Sequence, residues 1–320
     1  MEYISLKGVE KPVSRICMGT AWFRPHLEDE IFMLLDAYLD KGGNCIDTGR
    51  FYGASQAESI LKKYFESRGN RDQVILVDKC CHPIVTPDMV HCFDYWRVKP
   101  DLMEDDLYFS LYNTGSEFFD LYLLHRDDPA MPVGDLMDRM EYFVEKGLIG
   151  AYGVSNWELS RVAEALKYCE QKGYRGLSVN SPSFSLAQVR KPRWYGCVYA
   201  DHNYAMWHMD KELPLYCWSS QGNGFFAEAF PFDQTAPKDV QEAYYYEDNF
   251  TRLDRARELG RKYGVAPINI ALAYVLRQPF RTLAIVGPRN RDELSSCLRS
   301  LEIPLSEQEI NYLRLEVDSY

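Results

Sequence analysis

The chain has 320 residues, of which 46% are hydrophobic, and a formal net charge of −11. That length suits one large domain or two ordinary ones, and the apolar content is enough for a full core and too high for disorder. The acidic balance argues against a nucleic-acid partner or an anionic membrane surface.

The first residues, MEYISLKGVEKPVSRICMG, contain no apolar signal core, and no apolar stretch reaches the roughly 18 residues of a membrane span. Nine scattered cysteines, with Cys80–Cys81 the close pair and no CxxC, argue against a disulfide or zinc framework. Free thiols in a reducing cytoplasm are the expectation, with no bound metal.

Short apolar runs then alternate with longer helical patterns. The expected strands are VSRICMG (near 14–19), GNCID (43–47), QVILVD (73–78), DLYLLH (120–125), GAYGVS (150–155), LSVNS (177–181), PLYCWS (214–219) and TLAIVG (282–287). Between them lie helical periods such as DEIFMLLDAYLDKG and ELSRVAEALKYCEQKG, which end in Lys followed by Gly, a helix stop. Eight strands alternating with helices predict a parallel sheet closed into a (β/α)8 TIM barrel, one domain over 1–320. A doubly wound sheet is the rival, but it should carry GxGxxG after its first strand, and this chain does not. Three segments exceed ordinary loops: about 82–100, 186–212 and 221–250, after strands three, six and seven. In a barrel they open onto the C-terminal face, where active sites are built.

Ionisable residues gather at those strand ends. Asp47 closes strand two, and Tyr52 lies in the loop beyond it. Lys79 closes strand three and His125 closes strand four. An isolated buried charge is very costly, so Lys79 and Asp47 on adjacent strands are expected to pair. A phenol titrates near ~10, and a neighbouring ammonium stabilises the phenolate and lowers that value. Tyr52 could then give a proton to a carbonyl being reduced or take one from an alcohol being oxidised. The hydride must come from a cofactor, since no side chain carries one. The plain alternative is a salt bridge capping a barrel rim, with His125 a satisfied core histidine.

At these residues the chain resembles the aldo-keto reductase superfamily. The matching stretches are NCIDTGRFYG, VDK at 77–79, DLYLLHRDDP at 120–129 and GLIGAYGVSN at 147–156, with IVGPRNRDEL at 285–294 a looser match. The resemblance implies a (β/α)8 barrel that moves hydride between a nicotinamide cofactor and a carbonyl or polyol, with Asp47, Tyr52, Lys79 and His125 as its catalytic four. It implies a cofactor groove from Gly19, Thr20 and Asp47 round to Gly287. Ser155 and Asn156 would hold the carboxamide. Ser181 stands where the family usually has glutamine, with Asn180 or a water to make up the reach. Trp218 would stack on the nicotinamide, and Ser219, Gly222 and Gly224 would offer backbone N–H groups to the diphosphate.

The stretch after strand eight departs most from the family. Arg289 and Arg291 suit the 2′-phosphate of NADP, while Glu293, two residues further on and aligned with the family position that often holds Arg or Gln, would repel it. Ser296 and Cys297 replace the family's Glu-Asn pair at the adenine. The balance leans slightly to NADP(H) over NAD(H). Trp22, His82 and Trp96 are the expected substrate contacts. Glu104, Asp105 and Asp106 read as a first-turn charge bias. Two other functions stay open: an accessory subunit that binds cofactor without turnover, and an epimerase or lyase with no net redox change.

Overall fold

The computed structural model describes residues 1–85, 91–92, 97–227 and 236–320. Its centre is a closed barrel of parallel strands. These are β1 (Ile16–Gly19), β2 (Cys45–Asp47), β3 (Ile75–Cys80), β4 (Phe119–Leu124), β5 (Ile149–Ser155), β6 (Leu177–Ser181), β7 (Leu215–Cys217) and β8 (Thr282–Val286). Each pairs in parallel with its neighbour in sequence, and β8 closes on β1 through Ala284 opposite Ile16. The expected doubly wound rival is thereby excluded.

The surrounding helices are α1 (Glu28–Asp40), α2 (Ala57–Arg68), α3 (Pro100–Thr114), α4 (Val133–Glu145), α5 (Leu159–Lys172), α6 (His202–Lys211), α7 (Glu247–Tyr263), α8 (Pro267–Leu276), α9 (Arg291–Arg299) and α10 (Glu307–Leu313). Gly69 (φ 60°) and Gly173 (φ 71°) end α2 and α5 in the left-handed conformation, the stop that the Arg-Gly and Lys-Gly steps predict. Part of the expected long loop 186–212 is the helix α6, and the 221–250 segment carries a short helix, Lys238–Tyr244, before α7 begins. The run VSRICMG divides: Val13–Ser14 pairs antiparallel with Tyr3–Ile4, and the barrel strand starts at Ile16.

Alternation along the strands sorts the side chains into two sets. One set fills the barrel: Cys17, Cys45, Ile75, Val77, Leu121, Leu123, Ala151, Val179, Tyr216 and Leu283 form one apolar cluster, which Leu6 and Val13 of the N-terminal segment join. The other set meets the helices. Further along the same face come Gly19, Asp47, Lys79, His125, Ser181 and Trp218, each two residues beyond the last inner residue of its strand, and Ser155 and Gly287, four beyond Ala151 and Leu283 respectively. The strand period therefore delivers one candidate site residue from each strand to a single ring at the C-terminal end.

Candidate active site

Four groups meet on the β2–β4 side of this ring. Lys79 Nζ donates to both Asp47 carboxylate oxygens at 2.7 Å and to the Thr48 carbonyl at 2.9 Å. Both side chains are about 2% exposed, so the ion pair is sealed from water. The Lys79 ammonium lies 4.8 Å from the centre of the Tyr52 ring. The Tyr52 hydroxyl lies 3.4 Å from His125 Nε2. A Cβ placed on Gly49 would lie in ordinary contact, 3.7–3.8 Å, with Tyr52, His125 and Lys79, so the glycine marks the point where three of the four converge.

The local chain explains how Tyr52 is held. Its N–H donates to the Gly49 carbonyl at 2.8 Å, and the Gly53 N–H to Ala21 at 3.1 Å. Gly53, Ala54 and Ser55 then follow with φ of 64°, 55° and 64°. A Cβ at Gly53 would meet the Phe23 carbonyl at 2.4 Å, so glycine is required there. Left-handed Ala and Ser each cost about 1–2 kcal/mol, a cost that surrounding structure must offset. Cys81, Asn156, Ser219 and Asn223 are also left-handed, and all four sit in segments that follow β3, β5 and β7.

Burial works against both charges of the pair. It pushes the Asp47 carboxyl up and, alone, would push Lys79 down. The Asp47 charge reverses the second effect, so the ammonium titrates above the ordinary lysine value. Tyr52 differs from the expectation drawn from sequence. Burial raises its phenol above the ordinary value, and the Lys79 charge pulls against that rise without cancelling it. Without bound ligands, Tyr52 is thus a protonated acid throughout the neutral range.

Glu104, Asp105 and Asp106 read from sequence as a first-turn charge bias, and the structure corrects this: α3 begins at Pro100, so the three lie beyond its first turn, where Asp101 stands instead. Asp106 is fully buried. Its carboxylate pairs with Arg50 from the loop carrying Tyr52 and with Arg97 from the segment after β3. It also accepts the Cys81 N–H at 2.8 Å. One carboxylate thus ties together the two loops that flank the four. The signal was present: Asp106 falls on the buried stripe of α3 with Met103, Leu107, Ser110 and Leu111, where an acid is out of place unless paired.

The candidate cofactor residues divide. On β5 and β6 the expected donors are already engaged. The Ser155 hydroxyl donates to the Ser181 carbonyl at 2.7 Å, and the Ser181 hydroxyl to the Tyr216 carbonyl at 2.6 Å. Asn156 donates to the His125 carbonyl and to the Ser155 hydroxyl, both at 3.0 Å. Asn180 cannot supplement Ser181, because its amide turns outward to Tyr204 (2.8 Å) and His208 (3.1 Å). The N–H groups of Gly222 and Gly224, expected to face a diphosphate, close turns onto Ser219 and Gln221 instead. The Ser219 hydroxyl lies 3.4 Å from Asn223. Thr20 bonds Thr48 side chain to side chain at 2.9 Å, which ties the ends of β1 and β2 together.

Trp218 packs at ring-centre distances of 5.9 Å from Trp194 and 5.3 Å from Tyr199. Its indole N–H and that of Trp22 are buried without a hydrogen-bond partner. Trp22 lies beside Gly287, where an added Cβ would come within 3.6 Å of its ring. At the start of α9, Glu293 folds back: its carboxylate accepts the Arg289 N–H at 2.8 Å while its own N–H donates to Asn290 at 2.9 Å. Arg289 and Arg291 are exposed, and no carboxylate among the described residues forms an ion pair with either. Cys297 is buried against Gln221, with its thiol 3.6 Å from the amide oxygen. His82 does not stand alone. Its ring packs on His125 at 4.6 Å and on Phe51 at 5.4 Å, and its Nδ1 must carry a proton to bond the Pro83 carbonyl at 2.8 Å. Trp96 lies outside the described residues.

No group of three or more possible metal ligands occurs among the described residues, and none of the described helices is long and apolar enough to cross a membrane. A cavity of about 810 Å³ lies apart from the four, among the outer helices between Arg261, Pro267, Ser296 and Arg299.

A sequence model of the Aldo/keto reductase family matches residues 15–315. An uncharacterized oxidoreductase of Bacillus subtilis, YrpG, is 25% identical over 98% of this chain and 95% of its own length. The norsolorinic acid reductase stcV of Emericella nidulans is 27% identical over 93% of this chain and 76% of its own. The NADP(+) aldo-keto reductase yakc of Schizosaccharomyces pombe is 24% identical over 95% and 87%. A crystal structure of a thermostable aldo-keto reductase superposes with a TM-score of 0.74 at 20% identity, covering 98% of this chain and 99% of that one, which speaks to the fold.

Proposed function

Because the chain belongs to the aldo/keto reductase family and is an oxidoreductase by kinship, we propose that it uses NAD(P)(H) to interconvert a carbonyl and an alcohol, with Tyr52 as the proton donor and acceptor. The observation that carries this reading is the buried Lys79–Asp47 pair set beneath a phenol that touches His125. A rim salt bridge alone requires neither the phenol nor the imidazole.

The nicotinamide supplies the hydride when bound. Tyr52 gives its proton to the carbonyl oxygen in reduction and recovers it in oxidation. Lys79 keeps that proton mobile by stabilising the phenolate, and Asp47 keeps Lys79 charged and in place. His125 orients the carbonyl oxygen toward Tyr52, and His82, packed on its ring, fixes the imidazole plane. The residues present suit a nicotinamide at Trp218, where an aromatic face and an orphaned indole donor are on offer. They suit a 2′-phosphate at Arg289 and Arg291, neither of which forms a close ion pair among the described residues, although the Arg291 charge also acts on Asp36, while the Glu293 charge is partly absorbed by the start of α9. That arrangement favours NADP(H), with NAD(H) also accepted. Asn156 and Ser155 would have to exchange their present bonds to hold a carboxamide.

The test is a panel of aldehydes, ketoses and keto sugars with NADPH and NADH, read at the nicotinamide absorbance. Carbonyl-dependent oxidation of either cofactor is expected. Isomerisation of a sugar without net change in absorbance would instead establish the epimerase alternative.

A further inference from the structure

Arg126 follows His125 directly and is 4% exposed. Its Nη1 donates to the His125 carbonyl at 3.0 Å, and its Nε is buried without a partner. No carboxylate among the described residues forms an ion pair with it. The nearby acids are committed elsewhere: Asp47 to Lys79, Asp127 to Arg161 at 2.9 Å, and Asp128 to the Ala130 N–H at 3.0 Å. A buried cation without a counter-charge is costly, and buried charges are ordinarily paired.

The surroundings of Arg126 place it at the catalytic end. The same His125 carbonyl takes the Asn156 amide at 3.0 Å, and Asn156 in turn accepts the Val198 N–H at 3.1 Å from the long segment after β6. Burial raises the Tyr52 phenol and the Cys197 thiol, and in both cases the Arg126 charge pulls against the rise. The guanidinium therefore lies between the catalytic four and the β6 segment. A strut on the His125 carbonyl does not explain it, because Asn156 already holds that oxygen without burying a charge.

We propose that Arg126 is the receptor for an anionic group on the substrate, so that this site acts on carbonyl compounds carrying a carboxylate or a phosphate. The inference rests on the carbonyl-reduction reading of the site. Guanidinium presents a planar set of donors that matches both anions, and its unused Nε–H is available to one.

The experiment compares matched pairs: 4-carboxybenzaldehyde with benzaldehyde, and glyceraldehyde 3-phosphate with glyceraldehyde. Each is tested on the wild type, Arg126→Gln and Arg126→Lys. Two readouts are taken, the kcat/KM ratio within each pair and the calorimetric affinity ratio without turnover. The wild type should favour the charged member of at least one pair by about ten- to a hundredfold, the range for a hydrogen bond to a charged group. The carboxylate and phosphate pairs tell which anion is preferred. Arg126→Gln should bring the ratio close to one, and Arg126→Lys should retain most of it. Reading ratios cancels any loss common to both members of a pair. A wild-type ratio near one in both pairs, or a ratio unmoved in Arg126→Gln, overturns the proposal. Charge-selective, Arg126-dependent binding with no carbonyl turned over would keep the anion site and sink the hydride-transfer reading. Turnover without charge selection would do the reverse.

Discussion

The β2–β4 side of the rim and the β6–β8 side are built differently. On the first, the polar groups point at one another: Lys79 to Asp47 and Tyr52 to His125, with Gly49 at the point where they converge. On the second, Ser181, Gly222, Gly224 and Glu293 spend their hydrogen bonds on the protein itself. Chemistry needs a fixed geometry before substrate arrives, and the groups proposed to react are held by strands and a sealed ion pair. A long flexible ligand can be met by groups that exchange an internal bond for a bond to the ligand. The first side should therefore fail sharply when altered, and the second gradually.

Tyr52→Phe is the most severe change on the rigid side. The ring keeps its packing and loses the proton. Turnover should fall by about 10²–10⁴-fold, the usual contribution of a positioned acid, with cofactor affinity retained. A variant within about tenfold of the wild type would remove Tyr52 from the reaction.

Lys79→Met breaks the sealed pair. Removing one partner of a buried ion pair costs about 3–5 kcal/mol. The abandoned Asp47 would bind a proton more readily folded than unfolded, since burial already raises its carboxyl. Above the unfolded carboxylate value the folded state then holds the extra proton, so the variant's deficit grows as pH rises through the raised value. Thermal melts at pH 5 and pH 8 should show the larger deficit at pH 8. The alcohol-oxidation limb of the pH–rate profile should also move to higher pH, because the charge that pulls Tyr52 down is gone. An unmoved profile with activity retained would leave Lys79 a rim salt bridge.

How much was legible in the sequence follows the same division. The strand ends placed Asp47, Lys79 and His125 on one rim, and the family resemblance implied Gly19, Ser155, Ser181, Trp218 and Gly287; all eight share one face because a period of two admits few alternatives once the strands are found. The loops were opaque. Nothing in the spacing of Gly222 and Gly224 reveals that their N–H groups close turns, whereas the Asn290-x-x-Glu293 spacing is a helix-capping signal that alignment to the cofactor pocket obscured. Burial was opaque too: Lys79 was expected to lower the Tyr52 phenol, and it does pull in that direction, but desolvation outweighs it. Asp106 was hidden by its neighbours, since with Glu104 and Asp105 it read as a first-turn charge bias, and the helix in fact begins earlier, at Pro100.

Asp106→Asn tests whether rigidity extends beyond the four. The amide can still accept the Cys81 N–H but no longer neutralises Arg50 and Arg97. The loop carrying Tyr52 should loosen, and kcat should fall by about tenfold, in keeping with the cost of small misplacements. Cofactor affinity should be nearly unchanged. A lower melting temperature with unchanged kcat would reduce Asp106 to a structural brace.

Cofactor choice should show the smallest effect, because it depends on the yielding side. Glu293, Arg289 and Arg291 are all exposed, so water and salt screen each of them, and exposed charge pairs contribute at most about 1 kcal/mol. Glu293 also gives part of its charge to the amides at the start of α9. Glu293→Gln should shift the ratio of kcat/KM for NADPH over NADH upward, and Arg289→Ala should shift it downward, each by about fivefold or less. Both shifts should shrink as salt is raised from 0.05 to 0.5 M, since the screening length falls from over ~10 Å to under ~5 Å. Two unmoved ratios would put the 2′ pocket elsewhere. A shift of a hundredfold would mean that one of these side chains is buried when the cofactor is in place, and that this side of the rim is as fixed as the other.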